Sequence, residues 1–118
     1  MAVRGIRGAT AVKEDSAEAV LAATRELLEA MVAANGIAAP DIASVIFTVT
    51  PDLRSEYPAR AARLMGWTDV ALLGATEMDV ATGLKRCIRV LLHVNTERAA
   101  SAITHVYLHE ARKLRGDR

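Results

Sequence analysis

Between Glu77 and Val94 the chain reads EMDVATGLKRCIRVLLHV, a carboxylate followed by an apolar segment with an arginine inside it. Cys87, Ile88, Val90, Leu91, Leu92 and Val94 form the nearly continuous apolar run of a strand buried on both faces, so Arg89 is out of place. An unpaired buried guanidinium costs several kcal/mol, so the charge must be paired or must face a cavity that holds an anion. Glu77 is the nearest partner in sequence, because the turn signal Ala81-Thr82-Gly83 lets the chain fold back between them. A structural ion pair, or an edge strand that turns Arg89 to solvent, meets the same pattern.

Other cations repeat the theme. Arginine outnumbers lysine twelve to three, and arginine is the side chain that grips planar carboxylates through two parallel hydrogen bonds. A compositional bias towards Arg and Ala gives the same count. Arg4 and Arg7, three apart, fall on opposite faces of a regular strand. Gly5 and Gly8 strip steric cover from around Arg7, which suits close approach by a ligand or by another backbone. Arg60 and Arg63 lie one helical turn apart and share a face, as a carboxylate clamp or as two solvated charges. His105 and His109 have no third ligand in view, so no metal site is expected. Cys87 is the only cysteine, which excludes an intrachain disulfide and a thiolate cluster and fits a reducing cytoplasm.

At 118 residues the chain is expected to form one domain over 1–118, with oligomerisation helping to bury apolar surface. A formal net charge of +1 argues against phosphate-backbone binding. Phe47, Tyr57, Trp67 and Tyr107 are too few for a platform of stacked bases, so no nucleic-acid partner is expected. No apolar run approaches membrane-spanning length, and MAVRGIRG lacks the apolar core of a signal peptide.

These side chains need elements to position them. Val3 to Val12 reads as a first strand, and Asp15 or Ser16 as the cap of a long helix. Val20, Thr24, Leu27, Leu28 and Met31 form the core-facing stripe of that helix, which ends at Asn35-Gly36. Ser44 to Thr50 alternates as a strand, Pro58 opens a short helix closed by Gly66, and Asp69 to Leu73 is a third strand. Gly74-Ala75-Thr76 reads as a loop to Glu77, the Arg89 strand follows, and Thr104 to Leu108 is the last strand. The basic tail from about residue 110 is expected to be flexible. The order predicts an α+β fold, a single mixed sheet of about five strands with one long and one short helix on one face.

Four segments in register resemble the AroH-type chorismate mutases: VRGIRGAT, TPDL with YPARAAR, EMDV with GLKRCIRVL, and HVYL with a later LR. They run in order from about residue 3 to residue 115; each is weak alone and together they are specific. The resemblance implies a homotrimeric pseudo-α/β-barrel with active sites at the subunit interfaces. It also implies a cofactor-free Claisen rearrangement of chorismate to prephenate on the route to Phe and Tyr.

That chemistry would employ the residues already singled out. Chorismate is a dianion, and breaking its C–O bond builds negative charge on the ether oxygen and relative positive charge on the ring. No proton must move, so the protein has to select the compact conformer and place fixed charge where charge develops. By match to the family motif, Arg89 would donate to the ether oxygen, Arg7 and Tyr107 would hold the enolpyruvyl carboxylate, and Glu77 would accept the ring hydroxyl. Arg63 and Arg115 would meet the ring carboxylate. Tyr57, Arg60, Leu72, Leu73, Gly74 and Leu114 would line the site. Two positions depart from the pattern: Gly74 stands where Cys or Ser is expected, and Gly116 where Pro is expected after Leu114-Arg115. The first leaves only backbone to contact the substrate hydroxyl, and the second implies a looser tail. A trimeric, non-catalytic binder of small carboxylates is the competing class, since fold alone does not separate the two; such a binder has no need of Glu77 beside Arg89 and Arg7.

Overall fold

The computed structural model describes residues 2–114. The long helix α1, Ala17–Asn35, begins where Ser16 Oγ accepts the Ala19 N–H at 3.1 Å and ends where Gly36 takes the left-handed conformation, φ 58°. Asp15, the other possible cap, instead accepts the N–H groups of Arg54 and Ser55 and so ties the helix entrance to a distant loop. The expected stripe is the buried one: Val20, Thr24, Leu27, Leu28 and Met31 all face the interior.

Five strands form one mixed sheet: β1 (Ala2–Ala11), β2 (Ile42–Val49), β3 (Ala71–Thr76), β4 (Cys87–Thr96) and β5 (Val106–Tyr107), in the order β3-β2-β4-β1-β5. β4 runs antiparallel to β1 and β2, whereas β2 with β3 and β1 with β5 are parallel pairs. Helix α2 (Ala59–Leu64) joins α1 against one face, where Leu27, Leu28, Met31, Ala59 and Ala62 close over Ile6, Val45, Phe47, Val90, Leu92 and Val94. Gly8 is needed for that closure, since a Cβ there would lie 2.3 Å from Met31 Sδ. Among the described residues no helix is long and apolar enough to cross a membrane.

Two local expectations change. Gly74-Ala75-Thr76 belongs to β3 and is no loop, because parallel pairing with Phe47, Thr48 and Val49 supplies hydrogen bonds that residue propensity does not reveal. The β4 run is not covered on both faces of the chain: Ile88, Val90, Leu92 and Val94 are buried, but Leu91 is 36% exposed on the side away from α1 and α2. His109–Leu114, where the tail expected to be flexible begins, forms a 3-10 helix. Its Ala111 and Leu114 pack with Ala9, Cys87 and Tyr107 over one end of that open face.

Candidate active site

Strand alternation sends one residue in two to the open face, and register decides which of them meet. Arg89 stands between Ala9 of β1 and Thr48 of β2. Arg7 lies opposite Leu91, and Tyr107 beside Ala9. Glu77 follows β3 directly, and its N–H extends the ladder to the Val49 carbonyl at 2.8 Å. Arg7, Thr48, Glu77, Arg89 and Tyr107 thereby line one cleft of about 230 Å³. Glu77 and Arg89 are shared with an adjoining cleft of about 280 Å³ that also reaches Cys87 and Leu114.

Arg89 is paired within the chain. Its Nη1 lies 2.8 Å from Glu77 Oε2, with the guanidinium side chain 28% exposed and the carboxylate side chain 14% exposed. Thr48 Oγ1 donates to the same oxygen at 2.9 Å, and the Met78 N–H donates to Oε1 at 3.2 Å. Burial alone would raise the Glu77 pKa; the Thr48 hydroxyl, the Arg89 charge and the Met78 N–H outweigh it and hold the carboxyl below its ordinary range. A guanidinium carries five N–H donors, so the pair with Glu77 leaves others available, and Arg89 lines both clefts.

The entrance to β4 is also braced. Arg86 has φ 48°, an uncommon conformation for a residue with a side chain, and both Asp52 carboxylate oxygens accept its N–H, the nearer at 2.9 Å. Thr50 Oγ1 accepts the Cys87 N–H at 2.9 Å. These bonds set the start of β4 two residues before Arg89.

The remaining expected residues lie elsewhere in the single chain. Tyr57 and Gly74 line a separate cleft beside the 53–58 loop. Arg60 is half exposed and paired with Glu56 at 3.0 Å. Arg63 is exposed on α2, on the helix-covered face of the sheet and therefore across it from Arg89. Leu72 is turned to the core and packs there, whereas Leu73 is 63% exposed on the open face. Leu114 is buried at the edge of the adjoining cleft. Arg115 lies outside the described residues. Among the described residues, no group of three or more His, Cys, Asp or Glu side chains is placed to hold a metal ion.

A family profile described as chorismate mutase type I matches residues 3–118. The chain belongs to the type I chorismate mutase family. It is 53% identical over 116 residues to the chorismate mutase AroH of Thermus thermophilus, across 98% of this chain and 95% of that one. Identity to the Bacillus subtilis AroH is 43% over 118 residues, 99% of this chain and 93% of the other. A solved chorismate mutase from Clostridium thermocellum superposes with a TM-score of 0.92 at 49% identity, covering 93% of this chain and 98% of that one. Chorismate mutase activity, an isomerase reaction, follows from membership.

Sequence reasoning missed Thr48 and the Thr50-Asp52 brace. Thr48 reads as one more β-branched strand residue, and only the register of β2 against β3 brings its hydroxyl to Glu77. For Asp52 the available signal was its place after a strand-ending proline; its partner lies 34 positions away.

Proposed function

We propose that the cleft on the open face catalyses the rearrangement of chorismate to prephenate, with Arg89 donating to the ether oxygen as its bond to carbon breaks. Arg7 and Tyr107 hold the enolpyruvyl carboxylate in the compact conformer. Glu77 accepts the ring hydroxyl and offsets positive charge developing on the ring. No group on the protein gains or loses a proton, and no covalent intermediate forms. Catalysis therefore rests on orientation and on fixed charge in a site from which water is largely displaced. No cofactor takes part.

Full enclosure of the substrate requires a second copy of the chain, and the assembly proposed is a homotrimer with sites between subunits. Two features support it. Leu73 and Leu91 leave apolar surface on the open face uncovered. Tyr57 and Arg63, which match the family motif, sit apart from Arg89 in one chain, and in this reading they serve the Arg89 cleft of a neighbouring one. A cytoplasmic location accords with the biosynthetic role.

The observation that carries this reading is Arg89 in a cleft with Arg7, Tyr107 and a hydrogen-bonded Glu77. Loss of chorismate absorbance with purified protein and no added metal or cofactor is the direct test. Arg89→Ala is expected to fold and to lose about a hundredfold or more in kcat. Turnover within a few-fold of the unaltered protein would remove Arg89 from the mechanism. Light scattering that gives a monomer for active protein would refute the trimer.

A further inference from the structure

We propose that His105 is a positioning residue, whose imidazole holds the strand segment carrying Arg7; the proposal rests on Arg7 binding a substrate carboxylate. His105 Nδ1 accepts the main-chain N–H of Arg7 at 2.9 Å. This bond sits at the start of the parallel pairing of β1 with β5, in which Gly8 faces Val106 and Ala9 faces Tyr107. At the other end the Leu108 N–H donates to the Ala9 carbonyl at 2.9 Å. β5 is only two residues long, so its main-chain ladder is short and the side-chain bond is a substantial part of what joins the strands. Arg7 and Tyr107 are the residues whose relative placement these ties set.

His105 is itself anchored. Asn35, buried at the end of α1, accepts the Thr104 N–H at 2.8 Å and donates to the Thr104 carbonyl at 2.9 Å. Hydrogen bonds at Thr104 and at His105, its neighbour in the chain, thus tie the helix to the Arg7 backbone. Catalysis by orientation is sensitive to such supports, since a displacement of about 1 Å can cost on the order of a hundredfold in rate.

Acceptance at Nδ1 requires the neutral ring with its proton on Nε2. Burial, and then the charge of Arg7, hold the His105 pKa below its ordinary 6.5. Arg7, on β1, is the charged group that bears on the ring; on α1, the residue that holds the neighbouring Thr104 is the uncharged Asn35. Protonation removes the acceptor and sets a cation beside Arg7. The bond is therefore intact above 6.5 and is lost as pH falls through the lower folded-state value.

The test compares His105→Phe, which keeps a ring but no acceptor, with His105→Asn, whose Oδ1 can accept near the Nδ1 position. Both are assayed on chorismate in the full chain beside Arg7→Ala. His105→Phe is expected to raise KM and to lower kcat/KM by about 10- to 100-fold. His105→Asn is expected to restore most of the loss and to abolish the rise in KM expected of the unaltered protein on acidification. Activity of His105→Phe within about twofold of the unaltered protein, or equal impairment of the Phe and Asn variants, would overturn the inference. If the Phe variant does not fold, the Asn variant decides in the range between the ordinary values of Glu77, 4.5, and His105, 6.5: absence of the acid limb there supports the proposal and its persistence refutes it. Full activity in Arg7→Ala would instead refute the reading of Arg7 and the inference with it, whereas an impaired Arg7→Ala beside an unimpaired His105→Phe would sink the inference alone.

Discussion

The two faces of the sheet are made by the same strands and obey opposite rules. On β4, Ile88, Val90, Leu92 and Val94 point to the helices and are between 0% and 3% exposed. Arg89, Leu91 and His93 alternate with them and point the other way, to the face that α1 and α2 leave open. The covered face is an apolar core that any well-packed set of side chains of suitable volume could supply. The open face holds a paired arginine, a carboxylate with three hydrogen-bond donors and uncovered leucines. Such an arrangement is costly for stability alone, because a partly buried ion pair gives up hydration that an apolar replacement would not. With the active site proposed on the open face, the difference separates substitutions expected to unfold the chain from substitutions expected to inactivate it.

Substitutions on each face should break the protein in different ways. Phe47→Ala, on the covered face, is expected to lower unfolding stability by about 3–5 kcal/mol through loss of a fully buried ring, read by chemical denaturation. The fraction that remains folded should keep its kcat. Arg89→Ala should do the reverse, and its thermal midpoint should move far less than its turnover. Thr48→Val, nearly the same in shape, removes the hydroxyl from Glu77; a fall in kcat/KM of roughly 3- to 30-fold is expected, the equivalent of one hydrogen bond to a charged group. An unchanged value would show that Arg89 and the Met78 N–H orient Glu77 without the hydroxyl.

The smallest effect concerns acid. Glu77 has a folded pKa below its ordinary 4.5, so its contribution to stability is complete above that value and is lost as pH falls through the lower folded one. Asp52 acts in the same direction relative to 3.8: burial opposes ionisation, and the Thr50 hydroxyl and Arg86 N–H outweigh it. Acid unfolding curves should therefore stay flat down to the ordinary carboxylate range and then steepen. Thr48→Val should shift the onset to higher pH, since it removes the foremost interaction favouring ionised Glu77.

Much of this was legible in the sequence because it is local. The α1 stripe repeats at helical spacing, Ser16 and Gly36 bound it, and β1, β2 and β4 announce themselves by β-branched and apolar residues. Arg89 stood out because a charge among six apolar neighbours has few explanations, and Glu77 was within reach of a turn. β3 was misjudged at its end, since Gly74 and Ala75 carry no strand propensity and pair only because β2 lies beside them. Leu72, adjacent in sequence to Leu73, proved to face the core, because alternation on a strand sends neighbours to opposite sides.

The amino-acid sequence by itself determined the elements, the apolar faces and the residue types that could meet a dianion, because propensity, periodicity and charge are properties of short stretches. Only the tertiary structure decided which of these meet. The pairing of Thr48 with Arg89, of Arg7 with His105 and of Tyr107 with Ala9 joins residues separated by 41 or more positions, as the registers of β4 with β2 and of β1 with β5 record. Register is set by the whole sheet, and a slip of one residue would send Arg89 into the core and Val90 into the cleft.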